Sequence, residues 1–207
     1  MKLYIHPVSG HAHRVTAMAA LLDIDHEAIV VDLQNGAQKH PDYLKLNPMG
    51  QVPTLVDGDV VLRESTGILT YLAMKHDPER TWLPADPALT AKVQEWLATS
   101  VKEVFEGPCG ARISKFFGAP TDFDQAVDKT HDVLRSLFEP HLATQDWLVG
   151  TGPTIADVAN YGYISATGET GIPLDDYPSV RAWLTRIEAL ERFPRIPTVA
   201  EVMSGGN

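Results

Sequence analysis

A single cysteine, Cys109, stands in the 207-residue chain. One thiol closes no internal disulfide and supplies no multi-cysteine zinc site. His11 and His13 are spaced too closely to project from adjacent helical turns and have no further ligand group beside them, so no metal is expected. Positive charge is scarce: 17 Lys and Arg face 27 Asp and Glu, for a formal net charge of −10. A nucleic-acid surface needs clustered basic side chains, so no nucleic-acid partner is expected. No uninterrupted apolar segment approaches the roughly 20 residues of a bilayer span, and the apolar run inside Met1-Lys2-Leu3-Tyr4-Ile5-His6-Pro7 is too short for a signal peptide. Together these absences lead to the expectation of a soluble, cytoplasmic protein with no membrane partner. Repeats and low-complexity tracts are missing too, apart from Ser204-Gly205-Gly206-Asn207, which reads as a frayed tail.

What the chain does have is ample apolar content, 44% of residues, enough for one large domain or two small ones. Leu3-Tyr4-Ile5 reads as a buried strand running into a His6-Pro7 loop. From about His11 to Leu22 the residues Val15, Met18, Ala19 and Leu22 recur at helical spacing, until Asp23 and Asp25 break the pattern. Ile29-Val30-Val31 reads as a second buried strand. A strand, a helix and a strand in so short a segment imply a parallel pair with a right-handed crossover. Asp42 to Leu46 predicts a short helix closed by Asn47-Pro48. Two apolar runs, Val52 to Val56 and Val60 to Leu62, then flank Asp57-Gly58, a dipeptide suited to the positive φ of a tight hairpin. A helix beginning near Glu64 follows, with Ile68, Leu69 and Leu72 on one face. The order βαβαββα over residues 1–77 matches a thioredoxin-like α/β domain.

Residues 78–87, rich in proline and without periodicity, read as a linker. Beyond them, over 88–207, the pattern is all-helical. Leu89, Val93, Trp96, Leu97, Val101, Val104 and Phe105 predict one long helix, and Val127, Leu134, Leu137 and Phe138 another that is bent or ended by Pro140. Thr154-Ile155-Ala156-Asp157 has the spacing of a capping box. Pro178 fits a first helical turn, ahead of a stripe of Val180, Trp183, Leu184, Ile187 and Leu190.

The stretch from Asn47 to Ser65 is the richest in chemistry. The first turn of a helix starting at Glu64 carries unpaired N–H groups and partial positive charge, a seat for a small carboxylate, with the Ser65 hydroxyl as an added donor. Pro53 cannot donate to a sheet ladder, which predicts a strand start at an open edge where an extended peptide pairs with the Val52 backbone. A proline opening a strand, a hairpin, and Glu-Ser starting a helix resembles the glutathione-binding half of the cytosolic glutathione transferases. The helical second half and the Thr154/Asp157 cap resemble that family as well, so the resemblance covers nearly the whole chain.

The resemblance implies glutathione as co-substrate, a cis bond before Pro53, and Glu64 and Ser65 holding the γ-glutamyl group beside Gln51 and Val52. Lys39, His40 and Gln51 are candidates for the glycine carboxylate. In theta-like and many bacterial members a serine after the first strand donates to the sulfur, a role carried here to Ser9; serine is also a favoured helix cap, and both readings stand. Tyr4 is a competing hydroxyl, although its place in an apolar run suits a core role. His11 is a candidate contact to the thiol or the electrophile. Phe105, Cys109, Arg112 and Phe116 are candidates for the electrophile pocket, on the helix expected to face the thiol. The implied activity is attack of the glutathione thiolate on a small electrophile, by a homodimer whose contacts draw on the helices from Glu64 to His76 and from Leu89 to Phe105. Two alternatives remain: glutathione-dependent thiol–disulfide exchange or peroxide reduction, and a non-catalytic binding protein keeping the fold.

Overall fold

A computed structural model describes residues 1–205. Strand β1 (Lys2–Ile5), helix α1 (Gly10–Leu21) and strand β2 (Glu27–Val30) form the parallel unit, and a tight helical turn at Ala37–Lys39 leads into α2 (Pro41–Leu46). Strands β3 (Thr54–Asp57) and β4 (Val60–Leu62) follow, then α3 (Ser65–His76). The sheet order is β2-β1-β3-β4, with β1 parallel to β2 and antiparallel to β3. In register, Leu3 of β1 faces Leu55 of β3, and both are fully buried beneath the helices. The expected thioredoxin-like order is what the chain adopts.

Three local expectations are corrected. The second strand is not buried: β2 is an outer strand with Val30 61% exposed, and only Val31, just past its end, enters the core. Its apolar run carried no sign of which face it would hide. β3 is an interior strand rather than an open edge, because β4 covers its far side. Pro53 precedes its first residue, so the missing N–H costs no ladder bond there. The hairpin loop is Gly58-Asp59, not Asp57-Gly58: Asp57 pairs with Val60, and Gly58 alone takes a positive φ, +59°.

The second half is helical. α4 (Pro87–Val101) opens with Asp86 accepting the Leu89 N–H at 2.9 Å. It does not run through Phe105 as expected but breaks at Lys102, and a π-helical turn at Phe105–Cys109 leads into α5 (Gly110–Phe117). Pro108 lies inside that turn, and the Gly110 N–H reaches back five residues to the Phe105 carbonyl. A ring without N–H cannot keep the α ladder, so the backbone widens. The same happens before Pro140, where α6 (Phe123–Val133) passes through a π turn at Leu134–Phe138 into α7 (Glu139–Leu142). α8 (Ile155–Ser165), α9 (Thr167–Thr170), α10 (Pro178–Glu188, with Pro178 in its first turn) and α11 (Val199–Ser204) complete the chain. Ser204 thus closes a helix rather than fraying, while Gly206 and Asn207 of the expected tail lie outside the described residues. Among the described residues no helix is long and apolar enough to cross a membrane.

One buried apolar cluster runs from Leu3 and Leu55 through Leu72, Trp96 and Phe138 to Trp183, so both halves share a core. α1 packs on α3 from its own half and on α8 from the other. α8 starts on the expected capping box: Thr154 Oγ1 accepts the Ala156 N–H at 3.2 Å, and Asp157 accepts the Thr154 N–H at 2.8 Å. Asp157 is fully buried and also accepts the Leu148 N–H at 3.0 Å and the Trp183 Nε1–H at 2.9 Å, tying α8 to α10. Removing this acceptor strands buried donors, each worth about 1–3 kcal/mol. Asp157→Ala should therefore lose about 3 kcal/mol or more, a fall in Tm of roughly 6–12 °C for a chain of this length, and Asp157→Asn clearly less. Thermal melts decide; an alanine variant within about 2 °C of the parent would overturn the account.

Candidate functional site

Where α1, β3 and α3 of the first half meet the π turn, α5 and α8 of the second, a cleft of about 400 Å³ opens. Its first wall is built from Ser9, Gln38, Gln51, Val52, Pro53, Glu64 and Ser65, and its second from Val101, Phe105, Cys109, Ile113 and Tyr163, with His11 between them.

Ser9 sits at the N-terminus of α1, where its Oγ accepts the Ala12 N–H at 3.2 Å. A hydroxyl that accepts in this way keeps its own proton for a second partner. Capping and donation, rivals in the sequence, are therefore compatible. Gly10 brings this terminus against α8: a Cβ there would lie 2.6 Å from the Tyr163 ring. The Val52–Pro53 bond is cis, as the resemblance implied. Its loop is pinned from behind, because Tyr43 Oη and Asn47 Nδ2 donate to the Gln51 carbonyl at 2.7 and 2.8 Å. At the start of α3, Glu64 holds the cap position without a side-chain cap bond, so the first-turn N–H groups are left to the cleft. The exposed Glu64 carboxylate meets Arg63 at 2.8 Å, and the buried Ser65 Oγ accepts from Arg14 Nη1 at 3.1 Å.

Arg14 is fully buried, and no ion pair to it forms among the described residues. Its Nη1 also meets His11 Nδ1 at 2.8 Å, and Nη2 donates to the Ser100 carbonyl at 2.9 Å. Burial draws the Arg14 pKa down to about 10, which leaves it charged at neutral pH. Burial and then the Arg14 charge push His11 down to about 3. Burial pushes the Cys109 thiol up to about 11 and the Tyr163 phenol well above its ordinary value. At neutral pH the second wall therefore carries no formal charge.

Several candidate residues fall elsewhere. Lys39 turns its Nζ to the Met49 carbonyl at 3.1 Å, and the exposed His40 accepts the Asp42 N–H at the start of α2; neither lines the cleft. Gln38, one position earlier, does line it, with a buried Oε1 that has no partner. Tyr4 packs edge-on against Tyr43 at 5.8 Å between ring centres, away from the cleft. Arg112 is buried and committed to Glu169 Oε1 at 2.6 Å, the Pro197 carbonyl at 3.3 Å and the Val8 carbonyl. It braces the loop before Ser9 instead of facing an electrophile. Phe116 lies against Phe117, off the cleft. The cause is the π turn: Val101, Phe105, Cys109 and Ile113 reach the cleft at intervals of four, and this spacing passes over Arg112 and Phe116. Val101 and Phe105, expected in a core stripe, are 44% and 43% exposed. Gln38, Ile113 and Tyr163 escaped the sequence reading; only Pro108, a proline inside a helical pattern, signalled the change of register that brings Ile113 in. Among the described residues no cluster of three or more His, Cys, Asp or Glu converges as a metal site.

Comparison with known proteins finds relatives of both halves of the chain. The sequence model of the glutathione S-transferase N-terminal domain matches residues 8–75, and that of the C-terminal domain matches residues 113–191. Glutathione S-transferase 3 of Zea mays is 35% identical over 98% of this chain and 94% of its own length. Among solved structures, a glutathione S-transferase from Xanthobacter autotrophicus superposes with a TM-score of 0.88 at 28% identity, covering 97% of this chain and 98% of that one. A glutathione transferase homologue from Lodderomyces elongisporus, solved with two GSH per subunit, superposes at 0.83 with 27% identity over 93% of this chain and 94% of its own. With both halves matched and a relative of this identity spanning almost its entire length, the chain belongs to the glutathione S-transferase family.

Proposed function

We propose that in this glutathione transferase Ser9 stabilises the thiolate of bound glutathione, which attacks the carbon of a small electrophile held against Val101, Phe105, Ile113 and Tyr163. The Ser9 hydroxyl carries this reading: it already accepts the Ala12 N–H at 3.2 Å, so its proton is free for an anion in the cleft. An unperturbed cysteine-type thiol has a pKa of about 8.5, and lowering it by two units requires about 2.7 kcal/mol in favour of the anion. One charge-assisted hydrogen bond supplies about 1.5–3 kcal/mol, and the open N-terminus of α1 adds to it. The γ-glutamyl group takes the unpaired N–H groups of α3 with Ser65 and Glu64, the Val52 backbone pairs with the cysteinyl unit, and Gln51 and Gln38 serve the glycine end.

Cys109 does not serve as the nucleophile. A thiol pushed up to about 11 is protonated at neutral pH, so any disulfide or peroxide chemistry runs through the thiol of glutathione. The chain functions in the cytoplasm as a domain of residues 1–77 and a helical domain that opens with Pro87 of α4, joined by 78–86. Two copies pair through α3 and α4, where Met74 stands 60% exposed on α3. Light scattering should give twice the mass of one chain; a monomer at micromolar concentration would refute the pairing.

Ser9→Ala should raise the thiol pKa of bound glutathione by about 1–2 units, the equivalent of one charge-assisted bond. The rise of turnover with pH moves up by the same amount, since only the thiolate reacts, while glutathione affinity changes little. Titration of thiolate absorbance in both proteins measures this; coincident curves would remove Ser9 from the role. Glu64→Ala and Ser65→Ala act on contacts made in ground and transition states alike, so affinity for glutathione should fall before maximal turnover does. Calorimetry showing unchanged affinity in both would unseat the α3 assignment. Binding of glutathione without turnover of aryl halides, peroxides or mixed disulfides would mark a binding protein instead.

A further inference from the structure

His11 lies at the meeting of the two walls with its ring held from three sides. Phe105 stands 5.8 Å away between ring centres, Tyr163 stands edge-on at 5.3 Å, and Arg14 Nη1 meets Nδ1 at 2.8 Å. A guanidinium has donors only, so at this contact the imidazole nitrogen must accept. A neutral imidazole whose Nδ1 lone pair is engaged carries its proton on Nε2. Arg14 is itself fixed, since Nη2 is anchored on the Ser100 carbonyl and the side chain is fully buried. Nε2 lies across the ring from Nδ1 and makes no hydrogen bond to any described residue. It is not among the sealed, unpartnered buried atoms either.

We propose that His11 is a second hydrogen-bond donor to the reacting sulfur, held by Arg14 in the Nε2–H tautomer. The assignment rests on the reading of this cleft as the thiolate site. Ser9 then donates from the first wall and His11 from the seam between the walls, so the sulfur anion meets two neutral donors. Behind them Arg14 carries the positive charge. The groups in contact with His11 are Arg14, Phe105 and Tyr163, none a carboxylate; Glu64, the carboxylate that shares the cleft, is exposed and paired with Arg63 at 2.8 Å, so no contact favours a charged ring. Burial, and after it the Arg14 charge, lowers the His11 pKa to about 3. His11 is therefore not a general base: Nε2 already bears the proton, and a proton on Nδ1 would confront the guanidinium. When glutathione ionises, its proton leaves for solvent, and the two donors hold the anion that remains.

Two measurements test this. Nitrogen NMR of ring-labelled histidine, with the His11 signal assigned by its loss in His11→Gln, should show a neutral Nε2–H imidazole at pH 7 that persists to pH 5. A Nδ1–H tautomer, or a ring that charges near its ordinary value, overturns the proposal. In thiolate titrations, His11→Leu should raise the pKa of bound glutathione by about one unit, and kcat/KM for an aryl halide, measured at a pH below both thiol pKa values, should fall about tenfold at unchanged glutathione affinity. His11→Gln, which keeps an N–H donor, should recover at least half of that shift. A wild-type protein with thiolate and a His11→Leu variant with the same titration overturns this proposal alone. A wild-type protein that binds glutathione without lowering its thiol pKa overturns the reading of the cleft along with it.

Discussion

The close approach of α1 to α8 sets the rest of the site. Glycine at position 10 lets the start of α1 come within van der Waals contact of the Tyr163 ring, where any side chain would collide. Gly162 lies opposite on α8, where a Cβ would sit in ordinary van der Waals contact, 3.6 Å from the Gly10 Cα, so position 10 is the one that requires glycine. Two helices distant in sequence thus meet with almost nothing between them. Ser9 and His11, from the first fourteen residues, then share a cleft with Phe105, Cys109 and Tyr163, with Arg14 buried behind His11. Had position 10 a side chain, the walls would stand apart and the same residues would line two shallow surfaces.

The electrostatics follow from that enclosure. Taking a guanidinium out of water costs several kcal/mol, and a buried cation normally finds a carboxylate. Arg14 finds instead an imidazole nitrogen, a hydroxyl and a carbonyl, all dipoles, so its field is not cancelled locally. In a chain with a net charge of −10, this leaves a pocket of positive potential behind uncharged donors. Such a pocket suits an anion that forms in place, because the dipoles are already oriented and need no rearrangement. Arg112, the other fully buried arginine, shows the contrast: Glu169 neutralises it, and it serves only to brace the backbone.

Most of the fold was legible because its signals were local. The apolar spacing of α1, the turn chemistry at Gly58, the cap at Thr154 and the proline at 178 each named an element by mechanism. The corner from Pro53 to Ser65 was legible for the same reason, since a strand start, a hairpin and a helix start adjoin in sequence. What stayed hidden depended on partners far along the chain. Whether Val30 faced core or water was decided by which strand took the outer place in the sheet. Arg112 was misplaced because a 3.6-residue repeat was carried through Pro108, and Lys39 was preferred to Gln38 because charge is a louder signal than a side chain's direction.

The π turn at Phe105–Cys109 makes the cleft sensitive to chain length as well as to side-chain identity. On an α-helix, residues four apart drift by about 40° around the axis at each step, so four of them in succession would wind off the cleft. The wider turn takes up much of that drift and keeps Val101, Phe105, Cys109 and Ile113 in line. Deleting one residue within the turn would let it tighten to the α ladder with its flanks in register, so the change would fall on which side chain stands between Phe105 and Ile113 in the wall. Because Arg112 just beyond the turn donates to the Val8 carbonyl, a change of chain length that is not absorbed there would reach across the cleft and loosen the loop that presents Ser9.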